Sequence, residues 1–283
     1  MAAKPGIGNP VSLSIAPVNQ AVGKPYSDLM SSIGLMQDIQ DRSSIDGFEF
    51  QCLEEWDENG PPLDNRNERL DIWRASPKYT IQDIARLLKD SGANILSVHA
   101  KRDTGIYLCS GDPDDIGEGK RLIHEALWLA CEIGAPVCVF HLWDTWKQDF
   151  DLDCIKNIFA EISSDYPDVV ASVENVPTGL KGHTPFDLVK QFRWITLDIQ
   201  WAALYGELHR FEEIKDRIVN IHLRGELMDS GWAMKNHPLG FYETLDMIRN
   251  EWNYQGLLTM EPNGLKAGDF DDLMAAMETL VPG

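Results

Sequence analysis

The 283-residue sequence has no run of basic side chains, and its charge is strongly of the opposite sign. It carries 45 acidic against 25 basic residues, which gives a formal net charge of −20. Such a surface repels a polyphosphate backbone unless a separate basic groove is present, and no basic run supplies one. We therefore expect no nucleic-acid partner.

Paired cysteines and long apolar segments are also lacking. The five cysteines are odd in number and include no C-x-x-C pair, which argues against a disulfide framework and a thiolate zinc site. No stretch approaches the roughly 18 apolar residues that a membrane span needs, and the chain does not start with an apolar signal-peptide core. We expect a cytoplasmic protein with no membrane partner. A homodimer or a homotetramer stays open.

What the sequence does contain is a series of short apolar runs that end abruptly at a polar residue. Eight such runs lie at residues 11–17, 48–55, 94–99, 136–141, 169–174, 194–198, 218–222 and 256–261. Continuous apolar runs are typical of parallel strands covered on both faces, although a buried helix segment gives the same pattern. The segments between the runs decide which of the two applies.

Those intervening segments carry the apolar spacing of helices. They lie at residues 28–42, 80–91, 117–133, 151–164, 184–192, 207–216, 240–251 and 270–280. Eight strand and helix units without a break in composition predict an α/β fold, a single (β/α)8 TIM barrel over residues 1–283, with a doubly wound open sheet as the alternative. Two long connections, 54–79 and 223–239, are expected at the mouth of the barrel.

Six consecutive predicted strands end in a side chain that can bind a metal or carry a proton. These strand ends are His99, His141, Glu174, Asp198, His222 and Glu261. In a parallel barrel such ends converge at one mouth. Two Glu, one Asp and one His suit a single divalent ion, Mn2+, Mg2+ or Co2+, and permit Zn2+. Three acidic groups so close together would repel each other unless a cation neutralised them, so we expect a bound metal.

In motif order and strand spacing, nearly the whole chain resembles the xylose isomerase-like barrel superfamily. This group includes ketose 3-epimerases, hydroxypyruvate isomerase, inosose dehydratase and endonuclease IV. The resemblance implies one divalent ion held by Glu174 in SVENVP, Asp198 in ITLDIQ, His222 in NIHLRG and Glu261 in LTMEPN. It also implies that Glu174 and Glu261 form an acid/base pair that moves a proton through a cis-enediol or enediolate. A metal-polarised carbonyl makes the α-proton removable, and two carboxylates allow its removal and return.

The resemblance assigns roles to three further histidines. It implies that His99 and His141 contact the substrate, or bind an additional zinc as in endonuclease IV, with a buried core histidine as the alternative for each. His237 corresponds to a metal ligand of endonuclease IV, or else caps the next helix.

Other residues near the strand ends suit a small-molecule pocket. Trp143 and Trp201 are expected to wall it, since sugars stack on tryptophan faces. Arg224 is expected to meet a substrate carboxylate or phosphate, unless it is simply solvated at the surface.

Two positions depart from the superfamily pattern. Trp201 stands where many members have the histidine of D-x-x-H, and Lys235 stands where endonuclease IV has an aspartate. Neither Trp201 nor Lys235 is expected to bind the metal, so the sequence supports one ion and, together with the acidic surface, disfavours abasic-site cleavage.

The sequence therefore predicts a metal-dependent isomerase or epimerase acting on a sugar or small hydroxy-carbonyl compound. Two alternatives stay open. A dehydratase or related lyase would use the same proton abstraction and then eliminate hydroxide, and a non-catalytic barrel would bind a metal or sugar without turning it over.

Overall fold

A computed structural model describes residues 9–53, 55, 77–228, 231–234 and 240–281 of the chain. Within these residues, eight parallel strands close into a barrel. They are β1 (Val11–Ser14), β2 (Gly47–Gln51), β3 (Ile95–His99), β4 (Val137–Phe140), β5 (Val170–Glu174), β6 (Ile195–Asp198), β7 (Ile218–Met228) and β9 (Leu257–Asn263). Neighbours in sequence pair in order, β6 pairs with β7, and β9 lies between β7 and β1 to complete the ring. The predicted (β/α)8 barrel is confirmed, and the open sheet is not found.

Helices between the strands form the outer layer. They are α1 (Ile15–Ala21), α2 (Leu29–Arg42), α3 (Ile81–Ser91), α4 (Thr104–Leu108), α5 (Pro113–Ile133), α6 (Leu152–Ser163), α7 (Pro185–Val189), α8 (Ile199–Leu204), a 3-10 helix (Leu208–Arg217), α9 (Phe241–Asp246) with a following π turn (Met247–Glu251), and α10 (Phe270–Glu278). Side-chain caps fix where several of them begin. Asp28 accepts a hydrogen bond from the backbone of Ser31, and Asp151 does the same for Cys154.

The first predicted strand was too long, because the chain becomes helical at Ile15. Pro17 lies in the first turn of α1, where its missing N–H leaves no hydrogen bond unmade. Two further short helices, α4 and α8, were not predicted either, because four to six residues are too few to show a helical period.

Several strands alternate in polarity, which corrects the expectation of continuous apolar runs for them, whereas β4 is apolar throughout. In β1, Val11 and Leu13 belong to the apolar core, whereas Ser12 and Ser14 are equally buried. Ser12 Oγ lies 2.8 Å from Thr259 Oγ1, which donates to Asn220 Oδ1 at 2.8 Å. The polar face of β1 is thus buried against polar groups of neighbouring strands.

The predicted loop at 223–239 is partly strand. β7 continues to Met228, and β8 (Gly231–Ala233) pairs with it in antiparallel fashion. The extension arises because β7 pairs with β9 as far as Glu226 opposite Asn263. Most of the other long connection, 54–79, lies outside the described residues.

The helices in the described ranges were also compared with what a bilayer requires. None of them combines the length and the apolar character needed to cross a membrane.

Candidate active site

The predicted ligands lie together at the C-terminal mouth of the barrel. Glu174 and Asp198 are the last residues of β5 and β6, and His222 stands opposite Asp198 in the pairing of β6 with β7. Glu261 is opposite Arg224 in the pairing of β7 with β9. Because all four strands point the same way, their ends bring residues 87 positions apart into one cluster. We call Glu174, Asp198, His222 and Glu261 the ligand cluster.

The side chains of the ligand cluster lie close to one another. His222 Nδ1 lies 3.5 Å from Glu174 Oε2 and 3.4 Å from Glu261 Oε1. One ligand atom each from Glu174, Asp198 and His222 can be chosen so that all three are within 4.8 Å of one another. Glu174, Asp198 and His222 are fully buried, and Glu261 is 4% exposed. The sequence thus places three carboxylates and an imidazole in a site closed to bulk water.

Each member of the ligand cluster keeps one buried polar atom without a hydrogen-bond partner. The four atoms are Glu174 Oε1, Asp198 Oδ2, His222 Nδ1 and Glu261 Oε1. A buried polar atom without a partner costs about 1–3 kcal/mol, so folded proteins rarely leave several together without a reason. Carboxylate and imidazole atoms of this kind suit a divalent cation, and two overlapping sets have the spacing of metal ligands: Glu174, Asp198 and His222, and Glu49, His222 and Glu261.

A cation of the protein itself already lies against this cluster. Arg224 donates a hydrogen bond to Glu261 Oε2, and its Nε lies 2.8 Å from Asp198 Oδ2, without hydrogen-bond geometry. Its guanidinium also covers the ring of Trp201 at 5.2 Å. The side chain is only 12% exposed and is not a solvated surface arginine. All three acids expected to need a metal are therefore partly neutralised by Arg224, whose Nη2 also lies 3.9 Å from Glu174 Oε1.

That neutralisation is uneven across the cluster. Burial opposes ionisation of Glu174 and Glu261, but the histidines and Arg224 around them hold the pKa of both below the ordinary value. Burial raises the pKa of Asp198 to about 6, since Arg224 offsets only part of the desolvation and the Glu174 charge adds to it. Burial opposes protonation of His222, but the surrounding glutamates hold its pKa well above the usual range. The site thus stabilises added positive charge, which is the electrostatic condition for binding a cation.

No protein-family model and no curated protein sequence matches this chain. Solved structures do match. A D-tagatose 3-epimerase-like protein superimposes with a TM-score of 0.59 at 20% identity, over 95% of both chains. A sugar phosphate isomerase/epimerase from Parabacteroides distasonis gives 0.60 at 14% identity, over 97% of this chain and 96% of its own. The 3-keto-D-glucoside 4-epimerase of E. coli gives 0.57 at 13% identity, over 96% and 98%.

This chain has the fold of these sugar epimerases. At such identities the likeness establishes architecture alone. It confirms, at the level of fold, the resemblance to xylose isomerase-like barrels that the order of the strand-end motifs indicated.

At this mouth of the barrel, sequence reasoning missed one buried acid. Glu49 lies inside β2, is fully buried, and accepts hydrogen bonds from Ser97 Oγ at 3.0 Å and from His222 Nε2 at 3.1 Å. The hydrogen bond from His222 Nε2 to the Glu49 carboxylate fixes the imidazole ring of His222, so that its Nδ1 faces the ligand cluster. The only signal was an acid between two phenylalanines in F-E-F, which is unusual for a buried strand.

The two strand-end histidines converge on one oxygen of Glu174. His99 Nε2 lies 3.2 Å and His141 Nε2 2.9 Å from Glu174 Oε2. Burial lowers the pKa of His141 to about 4, despite the charge of Glu174. His99, His141 and Glu174 also lie close enough together to be metal ligands. Substrate contact and binding of an additional zinc, the two predicted roles of these histidines, both fit this arrangement.

The remaining predicted substrate contacts fall into two groups. Trp143, Trp201, Arg224 and His141 line one cavity beside the ligand cluster. Trp143 is 2% exposed and donates its indole N–H to Pro177 O at 3.0 Å, so its ring is packed in place. His237 and Lys235 lie outside the described residues.

The backbone of Trp201 contacts the ligand cluster through Asp198. Its backbone N–H donates to Asp198 Oδ1 at 2.9 Å, because Asp198 caps the start of α8. One oxygen of Asp198 is therefore used by the helix, and Oδ2 is the one aimed at the cluster.

Proposed function

We propose that this protein is a divalent-metal-dependent isomerase or epimerase of a sugar or small hydroxy-carbonyl compound. The observation that carries the proposal is the set of four buried atoms, one from each residue of the ligand cluster, that no hydrogen bond of the described residues satisfies. The D-tagatose 3-epimerase-like protein and the E. coli 3-keto-D-glucoside 4-epimerase, which share the fold, support the class of reaction.

The residues of the ligand cluster would hold the ion. Carboxylate oxygens and one imidazole suit Mn2+, Mg2+ or Co2+, and Zn2+ also accepts them. When bound, such an ion polarises a substrate carbonyl and stabilises the negative charge that develops on its oxygen. Glu49 would keep His222 oriented toward it through the hydrogen bond at Nε2.

The two glutamates would act as the proton-transfer pair. Glu174 Oε2 is occupied by His99 and His141, and Glu261 Oε2 by Arg224, which leaves Oε1 of each glutamate for exchange with the substrate or the ion. One carboxylate would remove the proton α to the carbonyl, and the other, protonated, would return one to the opposite face of the enediolate. The histidines and Arg224 hold both carboxylates in place.

Isotope exchange tests this assignment directly. The protein with Mn2+ or Co2+ is incubated in D2O with a panel of ketoses, and deuterium at the carbon next to the carbonyl is measured by NMR. We expect incorporation, and we expect Glu174→Gln and Glu261→Gln each to slow it by about 10²- to 10⁴-fold.

The exposed Glu212→Gln variant is the matched control and should exchange at the wild-type rate. Appearance of an enone chromophore in place of an isomer would assign the same proton abstraction to a dehydratase. Exchange that survives in both glutamate variants would overturn the proposed roles.

A further inference from the structure

A large cavity adjoins the ligand cluster. It has a volume of about 660 Å³, with His141 and Arg224 at its inner end and Trp146 and Tyr205 in its lining. A hexose takes up roughly six water volumes, on the order of 200 Å³ at about 30 Å³ per water. Pockets of about 300–1,000 Å³ hold ligands larger than that. The cavity therefore has room for a second group beyond the sugar whose carbonyl would react.

The outer part of this cavity carries an exposed tryptophan. Trp146 is 82% exposed, and Tyr205, which lines the same cavity, is 38% exposed. Leaving a large apolar ring in water forgoes the free energy that its burial would supply. Flat aromatic faces beside a polar pocket are suited to stacking on the apolar face of a ring.

The backbone that bears Trp146 is held in place by its neighbours. The N–H of Trp146 donates to Asp144 Oδ1 at 2.9 Å, and Lys147 Nζ donates to the carbonyls of Cys109 and Ser110. Gly179 approaches so closely that a Cβ there would lie 3.0 Å from the carbonyl oxygen of Trp146. The exposed Trp146 ring, carried on a fixed backbone, is therefore available to a bound ligand.

Polar groups around the rings match a hydroxylated ligand. Gln148, Thr178 and Asp144 line the cavity along with the aromatics and offer both donors and acceptors. Arg102 and Arg224 also line the cavity, so its lining offers donors of both neutral and basic side chains beside the aromatic faces, which favours a hydroxyl-bearing sugar ring over a purely aryl group.

We propose that this cavity is a subsite for a second sugar ring, stacked on Trp146, so that the substrate is a disaccharide or glycoside whose reacting unit carries the carbonyl. The inference rests on the proposed isomerase function, because it places the reacting unit at Glu174 and Glu261. It adds a substrate class that the ligand cluster alone does not specify.

The test measures binding, so that it does not depend on turnover. Calorimetry with the Mn2+-supplemented full-length protein compares fructose, the ketose-ended disaccharides lactulose and maltulose, and phenyl β-glucoside. We expect a disaccharide to bind at least tenfold more tightly than fructose. Trp146→Ala should weaken the binding of the disaccharide by about 2- to 13-fold and leave fructose binding unchanged.

Leu204→Ala is the matched control, since Leu204 is 64% exposed but does not line the cavity. Equal affinity for fructose and both disaccharides, or disaccharide binding that survives Trp146→Ala, would overturn the subsite even if fructose undergoes exchange.

Phenyl β-glucoside binding more tightly than both disaccharides would replace the sugar ring with an aryl group. A Trp146→Ala variant with an altered sedimentation coefficient would assign Trp146 to a contact between copies. Disaccharide selectivity without isotope exchange would retain the subsite and reject the catalytic proposal.

Discussion

Two groups of acidic side chains in this barrel differ in how their polar atoms are satisfied. In the ligand cluster, every member keeps one buried atom without a hydrogen-bond partner. In the second group, which we call the Glu207 network (Thr184, Asp187, Glu207 and Arg210), Glu207 accepts from Thr184 Oγ1, from the Phe186 N–H at 3.1 Å and from Arg210. Asp187 accepts from the Thr184 backbone N–H at 3.2 Å and from Arg210 at 3.0 Å.

We interpret the Glu207 network as structural and the ligand cluster as a site that a bound ligand would complete. Glu207 is 3% exposed and Glu174 fully buried, so burial alone does not distinguish the two. What differs is whether the buried polar atoms find hydrogen-bond partners within the chain. Those of the Glu207 network do, whereas one atom of each residue in the ligand cluster does not. Removing a partner should therefore destabilise the first group, whereas adding a cation should stabilise the second.

The largest effect is expected in the Glu207 network. Glu207→Ala leaves the buried Phe186 N–H without its acceptor and removes the hydrogen bonds from Thr184 and Arg210, so the free energy of unfolding should fall by about 3 kcal/mol. Urea denaturation measures it. Glu213→Ala, exposed in the same 3-10 helix, should change stability by less than about 0.5 kcal/mol. An equally small loss for Glu207→Ala would remove the contrast between the two groups.

A smaller effect of opposite sign is expected at the ligand cluster. Mn2+ at 100 times its Kd should raise the free energy of unfolding by about 2.7 kcal/mol, and EDTA should reverse the gain. Asp198→Asn keeps the cap on α8 but removes the charge, so the metal-dependent gain should vanish while the metal-free protein loses less than about 1 kcal/mol.

Asp151→Asn is the control for that substitution, since Asp151 caps α6 in the same way and lies outside the ligand cluster. It should retain the full response to Mn2+. An identical response in wild type and Asp198→Asn would mean that Asp198 does not bind the ion.

Much of this comparison could be reached from the sequence. Strand ends such as Glu174 and Asp198 were found because parallel strands bury their middles and bring their carboxyl ends to one mouth. The barrel followed from the same alternation of strands and helices, with errors at short helices such as α8.

The parts that escaped depend on partners that no local pattern reveals. Glu49 lies within a strand and is recognised only by its contact with His222, 173 residues away. Arg224 was predicted to meet the substrate, but its ion pairs with Asp198 and Glu261 become apparent only when the pairing of β7 with β9 sets it opposite Glu261. The Glu207 network joins residues of α7 to a residue preceding the 3-10 helix, and Glu207 itself resembles any solvated acid in the sequence.

A third prediction concerns Glu49, which orients His222. Glu49→Gln retains an acceptor for His222 Nε2 but loses the charge, so the Kd for Mn2+ should rise by about 10- to 100-fold. Calorimetry measures this rise. The isotope exchange rate should return toward wild type at saturating Mn2+, because Glu49 acts through His222 and not on the substrate. Exposed Glu161→Gln serves as the control, and an unchanged Kd in Glu49→Gln would reduce Glu49 to packing.

The smallest effect is the pH dependence of the Glu207 network. Partial burial opposes ionisation of Asp187, but hydrogen bonds from Lys190, Thr184 and Arg210 together hold its pKa below the ordinary value. A carboxyl whose pKa is lower in the folded state stabilises the protein above its unfolded pKa, near 3.9, and loses that contribution as pH falls further. Asp187→Asn should thus cost about 1 kcal/mol at pH 7, and the difference from wild type should shrink below about pH 4.

Urea denaturation of both proteins between pH 3 and pH 7 measures this dependence. The exposed Asp168→Asn variant should track wild type across the range. A cost for Asp187→Asn that stays constant with pH would assign the role of Asp187 to hydrogen-bond geometry, since an amide at this position keeps an acceptor for Thr184 but cannot pair its charge with Arg210. A cost that grows as the pH falls would contradict the sign of the pKa shift.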